Sequence, residues 1–231
     1  SRVRKPMKFS GLQKTSLVDF PDRVASVLFT PSCKLRCPFC HNWRIVINPK
    51  PPFLNEEAVL EILEERRSFI DAVVVTGGEP TIHIELPKFL KRLKDKDFSV
   101  KLDTNGLDSR ILKESLPYVD YVALDVKTCL EKYTLLGAKN TEELLHTLEI
   151  LKTSNVDYEF RTTVVPTLVD YEDIVRIGEL VKGAKTFALQ QFVPDDALDQ
   201  EFRKLQPYSP EVVDMFAKTI GKYVDNTVLR V

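Results

Sequence analysis

Val24-Ala-Ser-Val-Leu-Phe29, with Cys33-Lys-Leu-Arg-Cys37-Pro-Phe-Cys40 close behind it, is the stretch on which the reading of this chain turns. The first half is an apolar run of strand length. The second is a loop with three cysteines at C-x3-C-x2-C spacing. A strand ending in a chemically loaded loop is the unit of a parallel α/β fold, where active sites form at C-terminal strand ends. Thiolates are soft ligands, and three on one short loop suit an iron–sulfur cluster or zinc. On a four-iron cluster, three thiolates leave one iron open to bind a small molecule. His41 follows Cys40 at once, so three thiolates plus an imidazole around zinc is the rival reading. Adjacent residues seldom both reach one tetrahedral ion from so tight a loop. Clustered cysteines without a secretory signal argue against a disulfide framework.

Outward from this stretch, strands alternate with helical patterns. Strands are expected at 24–29, 72–75, 100–102, 121–126, 158–165 and 186–192, with a last one at 227–231. Helices are expected at 56–70, 86–93, 109–115, 141–151, 171–181 and 210–223, with Asn55 and Thr141 as N-caps. Such alternation predicts a parallel sheet with helices outside. About six units suggest an α/β fold of the partial (βα)6 TIM-like barrel type, with an open doubly wound sheet as runner-up. Residues 1–231 read as a single domain, with 7–22 as an N-terminal hairpin or flap and 1–6 as an addition ahead of a native start at Met7.

Composition narrows the functional classes. Lys plus Arg (33) nearly balance Asp plus Glu (34), which argues against bulk nucleic-acid binding. No apolar run approaches membrane-spanning length, and a reducing, cytoplasmic setting is expected. A hydrophobic fraction of 43% supports a sizeable core.

The remaining polar motifs fall at expected strand ends. Thr76-Gly-Gly-Glu-Pro80 follows the second strand, and its glycines allow close backbone approach to a ligand. Asp103-Thr-Asn-Gly106 follows the third, and Asp125-Val-Lys127 ends the fourth. Asp103 and Asp125 on neighbouring strand ends repel unless they share a cation or a donor. Lys127 is a candidate donor, and a small cation is the alternative. Arg161, on a strand with buried neighbours, needs an anion, either a ligand carboxylate or a protein Asp. Cys129 reads as a thiol outside the ligand set. His83 and His146 read as structural or solvent-facing.

Together, C-x3-C-x2-C with Phe39 before the last cysteine and the Gly-Gly-Glu-Pro strand end resemble the radical S-adenosylmethionine superfamily. Cys40-His41-Asn42, Leu102-Asp-Thr-Asn-Gly106 and Asp125-Val-Lys127 further resemble the activating enzymes of glycyl radical enzymes. Gly11-Leu-Gln-Lys-Thr-Ser-Leu-Val-Asp-Phe-Pro21 is similar to the subgroup that activates anaerobic ribonucleoside-triphosphate reductase. The resemblance implies that Cys33, Cys37 and Cys40 hold a [4Fe-4S] cluster whose open iron chelates S-adenosylmethionine. It implies that Gly77, Gly78 and Glu79 orient the ammonium, and that Asp125 and Lys127 meet the ribose and carboxylate. Asp103 and Thr104 would lie near a monovalent cation, and Arg161 would belong to the same cofactor site. Phe39, Asn42, Thr163 and Gln191 would surround the adenosine end. The implied reaction is reductive cleavage of the cofactor and removal of a hydrogen from a glycine of a partner enzyme, with flavodoxin or ferredoxin as electron donor. Two alternatives stand beside it: a small-molecule radical enzyme such as a deazapurine synthase, and a non-catalytic module stabilised by zinc.

Overall fold

The computed structural model describes residues 5–231. Most of the addition expected over 1–6 therefore lies outside the described residues. In chain order the strands are β1 (Lys8–Phe9), β2 (Gly11–Ser16), β3 (Ala25–Thr30), β4 (Leu54–Asn55), β5 (Ala72–Gly77), β6 (Ser99–Thr104), β7 (Tyr121–Asp125), β8 (Asp157–Val164), β9 (Thr186–Gln191) and β10 (Asn226–Arg230). The helices are α1 (Trp43–Ile47), α2 (Glu56–Glu65), α3 (Leu86–Asp95), α4 (Ser109–Ser115), α5 (Glu142–Thr153), α6 (Tyr171–Val181) and α7 (Pro210–Ile220).

One eight-stranded sheet runs in the order β10-β9-β8-β7-β6-β5-β3-β2. From β3 to β10 every pairing within it is parallel, and β2 folds back antiparallel on β3. β1 and β4 form a separate antiparallel ribbon. Sequential order with helical crossovers gives the partial barrel expected from the alternation. The last strand joins in parallel, so a seventh parallel strand extends the six-unit core.

The two faces of this sheet differ. Val73, Val75, Val100, Leu102, Val122, Leu124, Phe160 and Leu189 point outward into one core shared with the helices. On the inner face, Ala25, Val27, Ala72 and Val74 pack with Phe20 into a small apolar plug. Nearer the C-terminal strand ends, that face carries Lys101, Asp103, Asp125, Glu159 and Arg161 instead. A period of two along each strand sorts the residues this way.

Local signals decide several element ends. Asn55 caps α2 by accepting from Ala58 N at 2.9 Å. The regular helix stops at Glu65 rather than continuing to 70. The Arg66 guanidinium turns aside to donate to Lys14 O at 3.0 Å and to Thr15 Oγ1 at 2.6 Å. Thr141 makes no side-chain cap for α5; Asn140 Oδ1 accepts from Glu142 N at 2.8 Å in its place. The short helix α1, immediately after the cysteine loop, is absent from the sequence reading because five residues carry too little periodicity.

Candidate active site

The C-terminal ends of the parallel strands surround a cavity of about 510 Å³. Every candidate residue borders it: Cys33, Cys37, Cys40, Phe39 and Asn42 from the cysteine loop; Gly77, Gly78 and Glu79 from the end of β5; Asp103 and Thr104 from β6; Asp125 and Lys127 from β7; Arg161 and Thr163 from β8; Gln191 from β9. Strand order, not sequence distance, brings them together.

The cysteine loop is held by backbone bonds on several sides. Arg36 N donates to Leu136 O at 2.8 Å, Leu198 N to Cys40 O at 3.0 Å and Asp199 N to Pro38 O at 2.9 Å. All three thiols are free, and Cys129 is a fourth free thiol, buried outside the cavity wall. Burial pushes the Cys37 thiol up to about 12, against a smaller pull from Lys127. Burial likewise raises Cys33 and Cys40. These thiols become thiolates only when a cationic group arrives to hold them, as metal binding does. Among the described residues no three His, Cys, Asp or Glu side chains enclose a single ion. Three thiols sharing one wall are a donor set that a multi-iron cluster can bridge, and Asn105 Nδ2 lies 3.8 Å from Cys33 Sγ.

The Gly-Gly-Glu turn fits against this loop. A Cβ on Gly77 would lie 2.3 Å from Thr30 N, and one on Gly78 would lie 1.9 Å from Ser32 O. The first demand on both glycines is thus room for the backbone that leads into the cysteines. Gly78 N and Glu79 N donate to Thr30 O and Ser32 O, each at 2.8 Å. Asn42 Nδ2 reaches the same turn, donating to Gly77 O at 2.9 Å. The Glu79 carboxylate points into the protein. Oε1 accepts from Thr81 N at 3.1 Å and from the hydroxyls of Thr81 and Thr104 at 2.7 Å; Oε2 accepts from Asn105 N at 2.7 Å. Burial raises this carboxyl even though four donors stabilise its charge. Glu79 therefore clamps the end of β6 to the turn.

Charged side chains line the floor. Lys101 Nζ lies 2.7 Å from Asp103 Oδ1, and an Arg161 terminal nitrogen lies 3.4 Å from Asp103 Oδ2. Arg161 Nε donates to Asp125 Oδ1, and Lys127 Nζ lies 3.2 Å from Asp125 Oδ2. The two carboxylates share a donor as expected, but it is Arg161 that bridges them. Burial would raise Asp125; Arg161 and then Lys127 more than offset it and hold the carboxyl well below the usual range. Asp103 is also lowered, its burial being outweighed by Lys101 and Arg161. Arg161, Lys127 and Arg230 border the cavity beside the carboxylates of Glu79, Asp103 and Asp125, so the floor carries paired charges of both signs. Arg161 and Lys127 stand where a ligand carboxylate entering the cavity could reach them.

Other candidates have more modest roles. Gln191 spends its amide on Tyr208 O at 2.8 Å and on Phe192 N at 2.9 Å. Phe39 has Lys127 Nζ 5.9 Å from its ring centroid. His83 Nε2 lies 2.9 Å from Pro31 O, a structural partner. Three participants escaped the sequence reading of the site. Lys101 had a signal, since it sits two residues before Asp103 on the same strand face. Arg230 pairs with buried Glu159, at 2.9 Å through its second nitrogen, and borders the cavity from β10. Asn105 belonged to a quoted motif but read as a turn residue.

Comparison with known proteins agrees with this geometry. Residues 27–182 match the radical SAM superfamily model. A Methanocaldococcus jannaschii protein named as a glycyl-radical enzyme activating enzyme is 36% identical over 96% of this chain and 95% of its own length. The pyruvate formate-lyase-activating enzyme of Clostridium pasteurianum is 26% identical, over 81% of each chain. Among solved structures, TYW1 with a lysine-pyruvate adduct superposes with a TM-score of 0.64 at 18% identity, covering 87% of this chain and 74% of its own. Streptococcus suis SuiB bound to S-adenosylmethionine gives 0.64 at 15% identity, covering 89% and 52%. These two likenesses speak for the fold alone. The family match overturns the non-catalytic zinc module. The chain belongs to the radical S-adenosylmethionine superfamily of [4Fe-4S] enzymes, and within it to the glycyl-radical enzyme activating enzymes.

Proposed function

We propose that this enzyme removes a hydrogen atom from a glycine of a partner glycyl radical enzyme, and that the partner is an anaerobic ribonucleoside-triphosphate reductase. One observation carries the reading: the three thiols, the Gly-Gly-Glu turn and the Arg161 and Lys127 side chains border a single cavity. Cys33, Cys37 and Cys40 hold the cluster. When bound, the cluster and S-adenosylmethionine together supply one-electron cleavage of the cofactor and hence hydrogen-atom abstraction. Lys127 and Arg161 draw the methionyl carboxylate. Gly77 and Gly78 present backbone to the ammonium, with Glu79 fixing their turn. Asp125 takes the ribose side. Phe39, Asn42, Thr163 and Gln191 border the adenosine end. A monovalent cation beside Asp103 and Thr104 would have to compete with Lys101 and Arg161 for the same oxygens.

The choice of reductase rests on the opening segment Gly11-Leu-Gln-Lys-Thr-Ser-Leu-Val-Asp-Phe-Pro21, which forms β2 and the turn into β3. The electron donor is a flavodoxin or ferredoxin, and the setting is cytoplasmic. Among the described residues no helix is long and apolar enough to cross a membrane.

The test uses the anaerobically reconstituted protein with S-adenosylmethionine, a strong reductant and a candidate reductase. Electron paramagnetic resonance is expected to show a carbon-centred doublet on the reductase. Deuterated glycine in the partner should collapse its splitting and place deuterium in 5′-deoxyadenosine. Cofactor cleavage without that doublet would reject this partner and favour a small-molecule substrate such as a deazapurine precursor.

A further inference from the structure

We infer that the Lys101 ammonium takes the place of an inorganic monovalent cation in this site, so that S-adenosylmethionine binds without help from sodium or potassium. The inference rests on the reading that S-adenosylmethionine occupies the cavity.

A hard cation needs several oxygen ligands with free lone pairs. Beside Asp103 those oxygens are already engaged. Asp103 Oδ1 lies 2.7 Å from Lys101 Nζ, and Oδ2 lies 3.4 Å from Arg161. The two Asp125 oxygens face Arg161 Nε and Lys127 Nζ. The Thr104 hydroxyl donates to Glu79 Oε1 at 2.7 Å and accepts from Gly106 N at 3.1 Å. An added ion would also meet the repulsion of three fixed positive charges.

Lys101 is placed to do the ion's work from behind. It is only 3% exposed and stands outside the cavity wall, whereas Asp103 borders the cavity. Its ammonium engages Asp103 from within the barrel and leaves the cavity side to a ligand. With Lys101 at 2.7 Å, Asp103 does not depend on the more distant Arg161 alone. Arg161 and Lys127 both border the cavity, where a bound α-carboxylate can meet them. A lysine tethered to β6 supplies its charge at every salt composition, whereas a free ion must be recruited from solution.

The experiment measures equilibrium binding of S-adenosylmethionine to the cluster-loaded protein in sodium, potassium and choline chloride at equal ionic strength. Wild-type affinity is expected to vary by less than about twofold. Lys101→Met keeps the length and removes the charge; it should bind weakly in choline and recover by about fivefold or more in potassium or sodium. Thermal unfolding without S-adenosylmethionine gives a second readout: potassium should raise the midpoint of Lys101→Met relative to choline and leave wild type unmoved. A wild-type affinity that rises about fivefold or more from choline to either alkali ion would overturn the inference. So would a Lys101→Met protein that binds equally in every salt. Should Lys101→Met fail to fold, the wild-type salt series decides alone. A wild type that binds no S-adenosylmethionine in any salt breaks the reading of the cavity instead.

Discussion

Leu102 and Asp103 are neighbours in sequence, yet they belong to different solvents. Leu102 is fully buried in the apolar core between sheet and helices. Asp103 is 8% exposed on the opposite face, held between Lys101 and Arg161. The same contrast recurs on β8, where Phe160 points outward and Arg161 inward. The outer face stabilises by removing apolar area from water, at about 25 cal/mol per Å² and with no dependence on partners. The inner face holds charges whose desolvation cost is offset only while every member is present. One face keeps the fold; the other is a pre-arranged electrostatic site that the fold carries.

The sharpest break in that contrast is expected from the cysteines. Cys33→Ala, Cys37→Ala or Cys40→Ala should abolish the cluster and all cleavage of S-adenosylmethionine, while Cys129→Ala retains about four irons per chain on anaerobic reconstitution. Iron and sulfide analysis checks this. Loss of iron in Cys129→Ala with retention in any of the other three would reverse the assignment.

Next come the two faces of β8. Phe160→Ala should cost about 3–5 kcal/mol, as deletion of a buried aromatic ring does. Arg161→Met should cost about 3 kcal/mol near neutral pH, because it removes the donor that bridges two buried carboxylates and leaves each with one lysine partner. Their pH profiles should differ. In wild type the folded-state values of Asp103 and Asp125 are depressed. Their stabilisation is therefore present above the unfolded value of about 3.9 and is lost as pH falls through the folded values. Without Arg161 each carboxyl keeps one lysine partner but loses part of the offset to burial, so both folded values rise and less of this stabilisation is present above the unfolded value. The penalty of Arg161→Met should shrink on acidification and that of Phe160→Ala should stay level. Denaturant melts across pH would show whether the two curves run parallel, which would erase the distinction between the faces.

A smaller effect tests the seam between scaffold and site. Gly78→Ala forces the cysteine loop outward and should cost about 1–3 kcal/mol, with reduced iron retention. Gly183, with φ +85 and no atom within 4 Å of an added Cβ, offers the control. There Ala should cost about 1–2 kcal/mol through backbone strain and leave iron content unchanged. Equal iron content in both variants would show that the loop tolerates displacement.

The least effect is expected at the α2 cap. Asn55→Ala should cost about 1 kcal/mol in chemical denaturation and leave the affinity for S-adenosylmethionine unchanged. A change in affinity would mean that helix ends on the outer face reach the site.

Periodicity was enough to place the seven parallel strands, and motif spacing together with the family resemblance picked out the fifteen residues that border the cavity. The reason is local. A period of two or of 3.6 is written in neighbouring residues, and a right-handed crossover leaves few ways to assemble the units. Pairing across the floor was beyond such reading. That Arg161 rather than Lys127 bridges Asp103 and Asp125, and that Glu79 bonds Thr104 and Asn105 at the end of β6, depend on groups from different strands. So does the arrival of Arg230 beside Glu159 from the last strand. Distances between strands are set by sheet register and barrel curvature, and the strength of a charge pair is set by burial. Neither quantity exists until the chain has closed around its core.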